Sequence, residues 1–216
     1  DAQMEGTTAP GASTGAAGAM AGAAGQPAPG EALAGGDWTM FGGNLANTRA
    51  NLSETKLTAQ NVSGLKELWS FRGTGCTATP AVYQGVVYVP TWGGKVYALD
   101  AATGKQLWMS ALPDLIDSSP AVTATTVFVS DDQGSVHALD RADGKKLWSK
   151  LVDMHVEAHL WSSPIYVPSA DLVVVGVASG EEAVMGPWSF RGSVVALDGK
   201  TGQERWKFYT TTGDAM

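Results

Sequence analysis

The sequence has a single cysteine, Cys76, which excludes a disulfide framework and a thiolate metal cluster. With no His or Asp context beside it, Cys76 reads as a small core residue rather than a nucleophile. Cys-x-x-Cys-His is absent, so this stretch carries no covalently attached haem. No apolar run reaches the roughly 18 to 20 residues that a membrane-spanning helix needs, and no signal-peptide core is visible at the start. Basic residues are scarce, 14 against 21 acidic ones, for a net charge of −7. That balance argues against nucleic acid or anionic lipid as the main partner and favours a basic soluble protein.

Aromatic and charged residues nearly vanish between Gly6 and Gly36, where Ala, Gly, Pro, Ser and Thr dominate and only Glu31 is charged. Such a stretch buries too little apolar surface to offset its ordering entropy, so residues 1–36 read as a flexible tether. A start at Asp1 followed by this tether suggests export, to the periplasm or the medium.

Beyond the tether the chain repeats itself. Val96-Tyr97-Ala98-Leu99-Asp100…Thr103-Gly104…Trp108, Val136-His137-Ala138-Leu139-Asp140…Asp143-Gly144…Trp148 and Val195-Ala196-Leu197-Asp198…Thr201-Gly202…Trp206 superimpose without gaps. Thr79-Pro80, Ser119-Pro120 and Ser163-Pro164 precede them, each followed by an apolar run. Trp108 and Trp148 are 40 residues apart, the length of a four-stranded propeller blade. The third copy is longer by a 14-residue insertion between Pro164 and Asp198.

Each position in the repeat has a structural use. The Val-rich runs at 86–89, 126–129 and 172–175 are apolar on both faces, as buried inner strands are. Asp opens a tight turn by accepting backbone hydrogen bonds, and Gly supplies the positive φ that the turn needs. The recurring Trp, opposite a small Ala, suits packing of one blade on its neighbour, so Trp108, Trp148 and Trp206 read as structural. The order of Asp and Trp disfavours a WD-type propeller.

The pattern predicts an all-β fold, a β-propeller with blades near 78–110, 118–151 and 162–210. The segment 66–72, Lys66-Glu67-Leu68-Trp69-Ser70-Phe71-Arg72, matches a last strand with no blade before it, an orphan closing strand. Three blades and one strand do not close a ring of four to eight, so residues 37–216 read as part of an incomplete propeller. Association of short chains to close the ring is a further option.

The repeat resembles the tryptophan-docking repeat of the pyrroloquinoline quinone (PQQ) alcohol dehydrogenase family. The opening Asp37-Trp38-Thr39-Met40-Phe41-Gly42 and Asn47-Thr48-Arg49 are similar to that family's first motif, and the resemblance covers residues 37–216. The inserted segment, Ser179-Gly180-Glu181-Glu182 through Trp188 to Arg191-Gly192, is similar to a block in which Ser-Gly approaches the quinone and Glu binds calcium. By that resemblance Ser179, Gly180, Arg191 and Trp188 contact the cofactor and Glu182 ligates Ca²⁺. On the residues alone, Glu181 and Glu182 read as a solvated acidic loop and Trp188 as a ring packed on its own blade, while Arg191 is equally a turn cation. The wording of the insertion looks closest to polyvinyl alcohol dehydrogenases. Adjacent cysteines common in the family are replaced here, with Met185-Gly186-Pro187-Trp188 or Ser118-Ser119 in the candidate places.

The resemblance implies a PQQ- and Ca²⁺-dependent oxidation of small or polymeric alcohols, with electrons passed to a cytochrome c-type acceptor. It places no catalytic residue in this stretch, because the catalytic aspartate belongs to later blades. The same repeat also builds non-catalytic scaffolds such as outer-membrane assembly factors. His155 and His159, four apart around Glu157, have metal-binding spacing only on a helix and otherwise read as solvated loop residues.

Overall fold

The computed structural model describes residues 36–181, 186 and 189–211. Apart from Gly36, the expected tether lies outside them. Among the described residues, thirteen strands follow a short 3-10 turn, Val62–Gly64. Blade 1 comprises β1 (Ala81–Tyr83), β2 (Val86–Pro90), β3 (Lys95–Asp100) and β4 (Gln106–Ala111). Blade 2 comprises β5 (Ala121–Val122), β6 (Thr126–Ser130), β7 (Ser135–Asp140) and β8 (Lys146–Leu151). Blade 3 adds β9 (Ala158–His159) to β10 (Ile165–Val167), β11 (Leu172–Ser179), β12 (Ser193–Asp198) and β13 (Glu204–Tyr209).

Each blade is an antiparallel meander in chain order, with β9 pairing the far end of β11. The third and fourth strands bulge at one repeated position, after Ala98, Ala138 and Ala196, and those alanines face Trp108, Trp148 and Trp206. The turn between these strands works as its sequence predicts. Asp100 Oδ1 accepts from the Thr103 amide and hydroxyl, Asp198 Oδ1 does the same from Thr201, and Gly104, Gly144 and Gly202 take φ near +70°.

Blades pack through these turns. The indole N–H of Trp108 donates to the Arg141 carbonyl at 3.0 Å, and that of Trp148 to Gly199 at 3.1 Å. Tyr88, Val96 and Ile116 with Val127 and Leu139 fill the space between blades 1 and 2, and Phe128, Val136, Val173 and Leu197 that between blades 2 and 3. Removing each such side chain from water is worth about 1.5 to 3 kcal/mol. Trp206 is 44% exposed, because no further turn meets it among the described residues.

Contrary to the strand expected there, the segment 66–72 pairs with no strand among the described residues. Its tryptophan docks regardless. Trp69 donates to the Ala101 carbonyl at 2.9 Å, one blade earlier in the same series.

At the inner rim the Ser/Thr-Pro markers form a hydrogen-bonded row. The Thr79 amide donates to Ser119 Oγ and the Ser119 amide to Ser163 Oγ, both at 2.9 Å. The opening segment crosses this rim. Trp38 bridges Val82, Thr39 accepts from the Val122 amide, and Met40 enters the core between blades 2 and 3.

Blade 2 departs from its neighbours in a buried polar network. His137 Nε2 meets Asp131 Oδ2 at 2.8 Å and its Nδ1 meets Ser149 Oγ at 2.7 Å, with both His137 and Asp131 only 2% exposed. Blade 1 places Thr91, Tyr97 and Met109 at the same register positions.

Candidate functional site

The connections between second and third strands share one end of the blades with those that lead to the next blade. Backbone bonds from Leu112 to Gly94, Asp132 to Leu115, Val152 to Gly134 and Gly180 to Glu157 tie the two sets together. The third of these turns is the long one, residues 180–192, and it begins where β11 outlasts its counterparts.

Ser179 and Gly180 therefore sit at the end of an inner strand, as expected. A Cβ on Gly180 would fall 2.5 Å from His159 Nε2 and 2.9 Å from Glu157 Oε2, so only glycine lets these groups close on the backbone. His159 is held in turn. Its Nδ1 meets Asp132 Oδ1 at 3.0 Å, and the same oxygen accepts from Trp161 Nε1 at 2.6 Å. The imidazole stacks on the Trp161 indole at 4.9 Å, leaving Trp161 41% exposed. Trp92 is fixed similarly by Thr77 Oγ1, which donates to Asp117.

Three expectations are corrected here. His155 and His159 are half-buried and hydrogen-bonded rather than solvated, because the turn and β9 that carry them fold onto Gly180 and the base of the long loop. Glu181 is not part of a solvated acidic loop: it is buried, its Oε1 accepting from Ser189 and Phe190 and its Oε2 from Phe190. Burial opposes its ionisation, but the Ser189 and Phe190 donors outweigh that and hold its carboxyl below the usual range. Cys76 is exposed rather than in the core, with Sγ donating to the Ala78 carbonyl.

Arg191 leaves the loop toward the outer strand. Its guanidinium lies 4.3 Å over the Tyr209 ring, and Nη2 donates to the Thr211 carbonyl. Its Nε is buried without a hydrogen-bond partner among the described residues. Glu182 and Trp188 lie outside the described residues. Ser118 and Ser119, at a candidate place of the cysteine pair, serve the scaffold, Ser118 Oγ donating to the Ser130 carbonyl.

Asp132 and Trp161 escape the sequence reading, since neither belongs to the repeat, and Glu157 enters it only as the residue between His155 and His159. The signal was present in the third Ser-Pro marker, where Trp161 stands two residues before Ser163 as Thr77 and Asp117 stand before theirs. The described residues offer half-buried carboxylate oxygen at Asp132 and Glu157, of the type hard cations take, and partly exposed indole faces for a planar ring. No cluster of three metal-ligating side chains forms among the described residues.

Repeated antiparallel sheets, each receiving on its turn the tryptophan of the strand before it, define a β-propeller of PQQ-type repeats with an incomplete ring. A family model of such repeats, described as outer membrane protein assembly factor BamB, matches residues 50–214, and the chain belongs to that family. It is 30% identical over 190 residues to a quinohemoprotein alcohol dehydrogenase, ADH IIB, of Pseudomonas putida, covering 84% of this chain and 27% of the relative. It is also 30% identical over 194 residues to lupanine 17-hydroxylase [cytochrome c] of a Pseudomonas species, covering 85% and 28%. Among solved structures, the quinohemoprotein alcohol dehydrogenase ADHIIG of Pseudomonas putida superposes with a TM-score of 0.72 at 30% identity, over 83% of this chain and 27% of that one. A europium-containing methanol dehydrogenase superposes with a TM-score of 0.71 at 28% identity, over 83% and 33%. The chain thus spans just over a quarter of the length of the curated relatives.

Proposed function

We propose that this chain is the N-terminal part of an exported PQQ- and Ca²⁺-dependent alcohol dehydrogenase, acting on primary, secondary or polymeric alcohols and passing electrons to a cytochrome c-type acceptor. The observation that carries the reading is the convergence of Ser179-Gly180 with Asp132, His159 and Trp161 at one end of the blades. Relatives named as quinoprotein dehydrogenases support it. The net charge of −7 suits a basic electron acceptor.

In this reading, PQQ would supply the hydride acceptor for alcohol oxidation and Ca²⁺ a Lewis acid beside it. Glu182 would ligate the cation, and Ser179-Gly180 would let the ring approach bare backbone. Trp188 would border the cofactor, whereas Arg191, turned onto Tyr209 of the outer strand, would brace the loop from behind. Asp132 orients the Trp161 indole and the His159 ring together, so both aromatic faces keep one geometry. The catalytic base is supplied by blades outside this chain, and residues 1–216 alone should turn over no alcohol.

Dye reduction by the full-length protein, loaded with PQQ and Ca²⁺ and offered primary, secondary and polymeric alcohols, tests the proposal; no reduction with any of them sinks it. The second reading, a non-catalytic scaffold, draws on the matched family's description as an assembly factor. A scaffold would keep no quinone absorbance after dialysis and would tolerate Glu182→Ala without loss of function.

A further inference from the structure

At the end of the blades opposite the long loop, one turn position changes from blade to blade. The residue after the turn aspartate is Ala101, Arg141 or Gly199, and in each case its carbonyl accepts the indole N–H of the preceding tryptophan. Its amide is fixed as regularly, donating to the carbonyl of Gly85, Thr125 or Asp171. The three backbones are therefore equivalent, and only the side chain differs.

Arg141 uses its side chain to plug the space between blades 1 and 2. Its guanidinium lies 4.9 Å over the Tyr83 ring, Nε donates to the Ala124 carbonyl at 2.7 Å and Nη2 to Gln84 Oε1 at 3.5 Å. Between blades 2 and 3 the same position is Gly199, which has nothing to insert. Thr123 also stands in place of the larger Tyr83, each following an Ala-Val pair. What results is an open cavity of about 490 Å³ bordered by Thr123, Phe128, Asp140, Tyr166, Asp171 and Lys200, within the size range of small-ligand sites.

The walls are of the kind that hold Arg141, with charge added. Tyr166, its ring stacked on Phe128 at 5.6 Å, gives aromatic surface, and its hydroxyl donates to Asp171 Oδ1 at 3.0 Å. Asp140 and Asp171, both half-buried, bring two carboxylates. Lys200 answers them only loosely: its Nζ is 3.6 Å from Asp171 Oδ2 on a side chain 85% exposed, a pairing worth little.

We propose that this cavity is a socket for one alkylguanidinium group, received from outside the chain where blade 2 supplies one from its own turn. A planar guanidinium both stacks on an aromatic ring and bridges to carboxylates, which a compact ammonium does less well. The carboxylates favour a cation over a neutral guest of the same shape. The socket lies at the other end of the blades from Ser179-Gly180, so it stands apart from the cofactor reading.

Calorimetric titration of the full-length protein with butylguanidinium tests the socket. One equivalent should bind with Kd below about 1 mM, and its neutral isostere butylurea at least tenfold more weakly. Asp171→Asn keeps an acceptor for Tyr166 and suits the φ of +50° at this position, yet it should weaken butylguanidinium at least tenfold. Lys200→Ala should tighten it, because the resident ammonium competes for Asp171. A Cβ on Gly199 would meet Asp171 Oδ1, so the plugged form combines Gly199→Arg with Asp171→Gly, glycine being what blade 1 has at position 85. It should bind no butylguanidinium and should exceed Asp171→Gly alone in thermal midpoint. No binding by the parent, equal binding of the urea, or undiminished binding by Asp171→Asn overturns the socket, as does a plugged form no more stable than Asp171→Gly. A blocked Gly-Arg-Gly peptide separates the sources of the group. Binding as tight as that of butylguanidinium assigns the socket to an arginine of a protein partner, and exclusion of the peptide assigns it to a free guanidine.

Discussion

Trp148 and Gly202 belong to different blades, yet a Cβ on Gly202 would lie only 2.6 Å from Cε3 of the indole. Gly202 also has φ of +68°, a region that side chains disfavour. Gly202→Ala should therefore lose stability twice over, about 2 to 4 kcal/mol from backbone strain and overpacking together. Gly85 is the control, because its φ is +77° but nothing lies within 4 Å of its would-be Cβ. Gly85→Ala should cost only the strain, about 1 to 2 kcal/mol. Urea unfolding of the two variants gives the comparison, and equal losses would show that the tryptophan does not bear on the turn.

The His137 network invites exchange for the residues of blade 1. Asp131→Ala removes the partner of a buried imidazole and should cost about 2 to 4 kcal/mol. Replacing Asp131, His137 and Ser149 together by Thr, Tyr and Met should recover most of that loss. In blade 1 this set packs Tyr97 on Phe71, and the position equivalent to Phe71 facing blade 2 is the smaller Ser110. A triple variant no more stable than Asp131→Ala would mean that the polar network is required for folding.

Acid should act through the turn aspartates. Arg205 beside Asp198, with the Thr201 hydroxyl and amide, holds its carboxyl far below the ordinary carboxylate value. A carboxyl whose pKa falls on folding stabilises the native state above its unfolded value, about 3.9, and this contribution fades as pH drops below that value toward the folded one. The parent should thus exceed Asp198→Asn in thermal midpoint at pH 6, and the gap should narrow below about pH 4. A gap that stays constant down to pH 2 would contradict this.

Cys76 should label slowly. Although Cys76 is exposed as a residue, the protein atoms around its sulfur partly desolvate the thiol and push it up, against a smaller opposing effect of the bond to the Ala78 carbonyl, so less thiolate is present at neutral pH than in a free cysteine. Alkylation of the native chain at pH 7 should run slower than that of the urea-unfolded chain. Equal rates would show that the fold does not shield the sulfur.

The blades were legible because every repeat position is used locally. Asp and Gly make the turn, Ala admits the tryptophan, and the spacing fixes strand length. The docking partner of each tryptophan was legible only as a neighbouring blade; that the acceptor is the carbonyl just after the turn aspartate follows from how sheets stack. The site was half legible. Ser179-Gly180 could be placed from the end of an inner strand, but the burial of Glu181 depends on donors from residues 189 and 190, which no pattern marks as its partners. His155 and His159 looked idle because their partners, Ser189 and Asp132, lie 34 and 27 residues away.

The row of bonds at the inner rim has a direction: Thr79 leans on Ser119, Ser119 on Ser163, and the tryptophans lean the same way. Each blade is finished by the one made after it. A ribosome delivering this chain therefore always holds out a newest blade whose indole and rim amide are still waiting, so assembly proceeds like a zip drawn from the N-terminal end.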